Sequence, residues 1–277
     1  MQWKDVTYNL EQHDTSSPNK LYKSWLTHIR KTMPDLESLC IEDSQSYDYQ
    51  TQVYPIMKKA WLDRLIIDEV RETFNLLSGF IEKRFTEAFG DLEVTIVLYP
   101  GLCNGAGWVT PIDENMHILL GIEKIVELKW TSMEKLFDLI NHELGHVLMI
   151  NARKKGEEAY PTEPSKSVFQ LFSEGVAEYV SQTLSPNENI RGKAWGSWCQ
   201  ASHDRIAETF LLRLEDKAST QDFFGDWVTL FGKSDLGYYL GQQFLNSLLD
   251  KWSLEEVLVL PIETLHDALL IYLKKSL

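Results

Sequence analysis

Asn141-His142-Glu143-Leu144-Gly145-His146 reads H-E-x-x-H. On a helix, residues four apart project from one face, one turn above the other. His142 and His146 so placed can share one zinc ion. Glu143, rotated by one position, can reach a water at that metal without being a ligand. The segment around the motif predicts the helix. Thr131 and Glu134 form a T-x-x-E capping box before it. Leu136, Ile140, Leu144, Val147 and Leu148 give an apolar stripe. Arg153, Lys154 and Lys155 suit a helix C-terminus, and Gly156 is the expected terminator.

A catalytic zinc keeps three protein ligands and one open position. The metzincin pattern is excluded, because Met149 and Ala152 stand where it needs glycine and histidine. The expected third ligand lies in Phe172-Ser173-Glu174-Gly175-Val176-Ala177-Glu178-Tyr179. Ser167 and Gln170 are the expected capping box of that helix, which ends before Pro186. Glu174 and Glu178 share a face, where like charges repel unless a cation lies beside them. Glu174 is the candidate ligand. Glu178 is the candidate acceptor for the free ring N–H of a ligating histidine. A solvated acidic face is the alternative. Phe172, Val176 and Val180 argue against it, as does Gly175, which is costly in a helix without a packing reason.

Gly237-Tyr238-Tyr239-Leu240-Gly241 opens a further apolar helix. A phenol there can serve a site or simply pack in a core, and the residues alone leave both readings open.

H-E-x-x-H, then S-E-G-x-A-E-Y, then Y-x-x-G resembles the motif order of the gluzincin metallopeptidases, the clan of thermolysin and the aminopeptidase-N-like enzymes. More narrowly it is similar to small bacterial proteins described as predicted zinc-dependent proteases. The resemblance covers roughly residues 92–277. It implies His142, His146 and Glu174 as ligands of one Zn2+, Glu143 as general base, and Glu178 as the acid behind a ligating histidine. It implies Tyr238 as the tyrosine that steadies an oxyanion. The interval from His146 to Glu174, 174 − 146 = 28 positions, is longer than in many aminopeptidases of the clan. The extra length falls in residues 156–164, expected to rim a cleft.

The implied architecture is α+β, mostly α: a small mixed sheet beside the H-E-x-x-H helix, then a helical C-terminal lobe of zincin type. Three regions are expected: a helical N-terminal part (1–90), the sheet with the active-site helix (91–155), and a helical lobe with the third ligand (156–277). Residues 92–99 are the clearest strand, β-branched and closed by Pro100-Gly101. Asn104-Gly105-Ala106-Gly107 is turn chemistry, Trp108-Val109-Thr110 opens another strand, and 116–122 is a third, expected to hold a substrate backbone by strand addition. Residues 52–89 read as one long helix or two abutting ones, with Trp61, Leu65, Val70, Phe74, Leu77 and Phe80 as the apolar face and Gly90 as the stop. Further helices are expected over 21–31, 192–216, 221–231, 238–252 and 262–274.

Composition bounds the function. The 277 residues are 44% hydrophobic and 25% charged, ordinary for a globular protein. Net charge is 27 − 41 = −14, and the only dense basic group is Arg153-Lys154-Lys155, so no nucleic-acid partner is expected. Cys40, Cys103 and Cys199 form neither a disulfide framework nor a zinc-ribbon pattern and suit a reducing compartment. No stretch has eighteen consecutive apolar residues, so no membrane partner is expected. Met1-Gln2-Trp3-Lys4-Asp5 lacks signal-peptide character, which predicts a cytoplasmic protein. His13, His28, His117, His203 and His266 are scattered and read as structural or surface, with His203 the one that could line a cleft. Trp195 and Trp198 read as packing.

The expected function is zinc-dependent hydrolysis of a peptide or protein substrate. The alternatives are a zinc-stabilised binding module without turnover, which an intact Glu143 disfavours, and a hydrolase of a non-peptide amide or ester.

Overall fold

The computed structural model describes residues 1–185, 191–225 and 228–275. The chain is mixed α and β, mostly helical, and divides into two compact units, 1–143 and 144–277. The division falls inside one continuous helix, the one that carries H-E-x-x-H.

The first unit is built on a four-stranded sheet of β1 (Gln2–Asp5), β2 (Thr95–Tyr99), β3 (Trp108–Ile112) and β4 (Asn115–Gly121). Strand order is β1-β2-β4-β3, with β1, β2 and β4 parallel and β3 antiparallel to β4. Ile96, Val97, Leu98 and Tyr99 are all inaccessible, as are Ile118, Leu119 and Leu120. Consecutive burial means that both faces of the central strands are covered. Strand β4 pairs on both sides, which corrects the expectation of strand addition at 116–122: the edges are β1 and β3. Pro111 sits within edge strand β3, opposite Met116. Strand β1 was not foreseen, since Gln2-Trp3-Lys4-Asp5 has no local strand signature and forms by pairing with Thr95 to Leu98.

Helices α1 (Pro18–Thr32), α2 (Leu36–Asp43), α3 (Tyr54–Leu62), α4 (Arg64–Phe89) and α5 (Ile122–Glu127) complete this unit. The long helix expected over 52–89 is interrupted at Asp63, whose carboxylate caps α4 by accepting from Ile66 N at 3.3 Å. Gly90, at φ +85°, ends α4 as expected. The apolar face is rotated from expectation. Val70, Phe74 and Leu77 are buried with Ile67, Ile81 and Phe85, but Leu65 is 83% and Phe80 51% exposed.

Helix α6 (Met133–Arg153) crosses into the second unit. Its cap is Ser132 rather than Thr131, with Ser132 Oγ accepting from Lys135 N at 3.4 Å. It stops at Arg153, three residues before Gly156, because Lys154 takes the left-handed conformation, φ +57°.

The second unit comprises α7 (Ser165–Leu184), α8 (Lys193–Ala201), α9 (His203–Glu215), α10 (Leu236–Leu249), α11 (Leu254–Leu258) and α12 (Ile262–Lys275). Helix α7 starts two residues before the expected capping box, and the Glu163 carboxylate accepts from Ser167 N instead. The expected 192–216 helix is broken at Ser202. Of the one expected over 221–231, only a 3-10 turn at Gln221–Phe223 forms, and residues 226 and 227 lie outside the described residues. Pro186, the expected stop of α7, also lies outside them.

Two helix crossings are made by main chain. A Cβ on Gly145 would lie 2.6 Å from Ala177 Cα, so α6 meets α7 there without a side chain between them. A Cβ on Gly175 would lie 2.3 Å from Gly241 O, and one on Gly241 would lie 2.3 Å from Leu171 O. This is the packing reason for a glycine inside α7. Among the described residues no helix is long and apolar enough to cross a membrane.

Candidate metal centre

His142 and His146 project from α6 as the four-residue spacing requires, and Glu174 projects from α7. The three offer ligand atoms that all lie within 4.8 Å of one another, and each residue is part-buried. His146 Nε2 and Glu174 Oε2 are 3.5 Å apart. Two ligands held at zinc–ligand distances in a tetrahedron are separated by about 3.4 Å. The spacing of that pair suits zinc, and the His-His-Glu donor set could hold one metal ion.

The ring orientation of His146 has a visible cause. Its Nδ1 is 2.9 Å from Ser173 Oγ, with Ser173 almost wholly buried. With Nδ1–H donating to that hydroxyl, Nε2 carries the lone pair and faces Glu174. Ser173 was missed in the sequence, although its position immediately before Glu174 makes it the nearest hydroxyl in the chain to that ligand's backbone. The crossing at Gly145 and Ala177 fixes the spacing of α6 and α7 by backbone contact. Arg153 anchors the far end of α6, its Nη1 donating to Leu258 O at 3.1 Å and Leu260 O at 2.9 Å.

Glu143 is 5% exposed. A Cβ on Gly107 would stand 2.5 Å from Glu143 Oε1 and 2.8 Å from its Cγ. The bare backbone of the turn that opens β3 is thus packed against the side chain of the candidate base. The glycine-rich turn was legible in the sequence, but this contact was not.

Glu178 is buried and paired with Arg191, Nη1 to Oε1 2.7 Å. Arg191 also approaches Asp235, Nε to Oδ2 3.4 Å, and its guanidinium carbon lies 4.0 Å from the centroid of the Tyr238 ring. Burial disfavours the Arg191 charge, but Glu178 and Asp235 more than offset this, and its pKa is raised. Tyr238 stands in the first turn of α10, three residues before Gly241 and so on the same flank of the helix. Tyr239 faces elsewhere: its hydroxyl is 3.2 Å from His203 Nδ1, and Tyr272 OH is 3.4 Å from His203 Nε2. Burial pushes the Tyr239 phenol up to about 12. His203 is accordingly bracketed by two phenols in an aromatic cluster.

Comparison with known proteins finds no matching family model, no matching curated protein and no matching solved structure.

Proposed function

We propose that this chain is a zinc-dependent peptidase. One observation carries the reading: two imidazoles and a carboxylate offer ligand atoms within 4.8 Å of one another, and a buried glutamate occupies the position after the first histidine. A site that only stabilised the fold would have no use for an acid there. When bound, zinc supplies a Lewis acid that polarises the scissile carbonyl and acidifies a coordinated water to a pKa of about 7.

The residues of the chain do the rest. The Glu143 carboxylate accepts a proton as the water oxygen bonds to the carbonyl carbon, and delivers it to the leaving nitrogen as the C–N bond breaks. The products are a carboxylate-terminated and an amine-terminated peptide. Packing of Gly107 on Glu143 holds that carboxylate in place and restricts water around it. Tyr238 donates its phenol O–H to the carbonyl oxygen as negative charge develops. Strand β3, which begins at the residue after Gly107, offers its free edge to an extended substrate backbone. The contact between Gly107 and Glu143 is what favours this edge over β1.

The test is a mixed peptide library incubated with zinc-loaded protein and read by mass spectrometry, with and without chelator. Chelator-sensitive cleavage is expected. Glu143→Gln should keep its zinc and lose at least about a hundredfold in rate, while Glu174→Ala should lose zinc. Absence of zinc uptake by the wild-type protein, or an undiminished rate in Glu143→Gln, overturns the reading.

A further inference from the structure

The residues around half-buried Tyr238 do more than pack against it. Arg191 has a side chain only 12% exposed, and its charge is matched by two carboxylates, Glu178 from α7 and Asp235 just before α10. Its guanidinium carbon lies over the Tyr238 ring, 4.0 Å from the centroid, and 5.4 Å from the centroid of the Trp195 ring. A guanidinium can hold carboxylates in its plane and a ring on its face at once, which an ammonium cannot. Tyr238 is in the first turn of α10, where the helix does not by itself fix a ring. The span between Glu178 and Tyr238 is set by the main-chain contact of Gly175 with Gly241.

We propose that Arg191 is a positioning residue that orients the Tyr238 phenol for the reaction. Glu178 and Asp235 hold the guanidinium, and the guanidinium holds the ring. Glu178 shares a face of α7 with Glu174, so the ligand-bearing helix and the phenol are joined through one cation. The inference rests on the peptidase reading for its chemistry. The orienting contact itself is a property of the protein without metal. An isolated structural ion pair would need no ring on its face.

The experiment uses the full chain in four forms: wild type, Arg191→Lys, Tyr238→Phe and the double variant. Arg191→Lys keeps the positive charge and removes the fork and the flat face. It should bind one zinc, leave KM nearly unchanged and lower kcat by about ten- to a hundredfold, the range expected for a misplaced group. In the Tyr238→Phe background the same substitution should lower kcat by less than about threefold, because the group it positions is gone. Equal losses in the two backgrounds overturn the proposal.

A second readout needs neither metal nor turnover. In metal-free protein with labelled tyrosine, the Tyr238 ring resonances are identified by their loss in Tyr238→Phe. They should shift and average in Arg191→Lys, and unchanged ring signals overturn the orienting role. If Arg191→Lys fails to fold, Asp235→Asn loosens one anchor and leaves the charge in place. It should show the same non-additivity in smaller degree, and additivity there counts against the proposal. A wild-type protein that cleaves nothing defeats the peptidase reading, whereas the ring measurement still decides the orienting contact.

Discussion

Gly107→Ala isolates the candidate base without touching a ligand. The added Cβ would stand 2.5 Å from Glu143 Oε1, 2.8 Å from Cγ and 2.9 Å from Cδ. Ordinary contact for such atoms begins near ~3.4 Å, so the pair must open by roughly 0.9 Å. The clash involves Cγ as well as the carboxylate tip, and Glu143 is buried, so rotating the terminal group does not relieve it. Displacing a proton-transfer group by about 1 Å costs on the order of a hundredfold. We expect kcat/KM to fall by that factor while zinc content stays at one per chain. Gly79→Ala is the control, since nothing lies within 4 Å of its Cβ in the middle of α4, and it should stabilise by about 0.5–1 kcal/mol with unchanged activity. Steady-state kinetics, elemental analysis and thermal unfolding on the three proteins decide the matter. Gly107→Ala cleaving at the wild-type rate, or losing its zinc, would refute the reasoning.

Two further substitutions probe the frame. Gly241→Ala puts a Cβ 2.3 Å from Leu171 O, a backbone atom that cannot swing aside. Unfolding should be easier by about 1–3 kcal/mol, with weaker zinc binding, and an unchanged denaturant midpoint would deny the close crossing. Glu123 is wholly buried, accepting from Trp61 Nε1 at 2.8 Å and Gly101 N at 2.9 Å, and burial raises its pKa from 4.5 to about 7. A raised carboxyl pKa stabilises the fold in full below about 4.5, and that stability is lost as pH climbs to and through about 7. The difference, at ~1.4 kcal/mol per pH unit, is about 3 kcal/mol. Glu123→Gln should flatten this part of the stability profile, and an equally steep profile in that variant would show that other groups cause it.

The three residues of the candidate metal centre were legible because their spacing is local. His142 and His146 are one turn apart on a helix, and Glu174 lies in a segment too apolar for a solvated face. Gly175 was legible as an oddity, and its cause, Gly241, is 66 positions on (241 − 175 = 66). Arg191 was not legible, since its partners at 178, 235 and 238 share no pattern with it. Strand β1 was hidden for the same reason, its register being set by residues 95–98. The face of α4 was misread because Leu65 and Phe80 continue an apolar spacing that the core does not use. The breaks at Asp63 and Ser202 fall inside runs whose periodicity continues across them. At Asp63 a side-chain cap outweighs the pattern, whereas Ser202 breaks its run without a side-chain cap hydrogen bond.

Pro111 has a consequence for how this protein behaves at high concentration. A sheet with open edges invites pairing between copies of the same chain, and two devices that blunt it are a proline and a lysine on the edge strands. This sheet carries both: Pro111 in β3, which removes one N–H from that edge, and the exposed Lys4 in β1. A second copy laid along β3 would lose a rung of its ladder at the proline. A short flexible segment can stop at Thr110 and lose nothing. On the peptidase reading the edge would discriminate by length, admitting a few residues of extended substrate while discouraging the long, flat pairing from which aggregates grow.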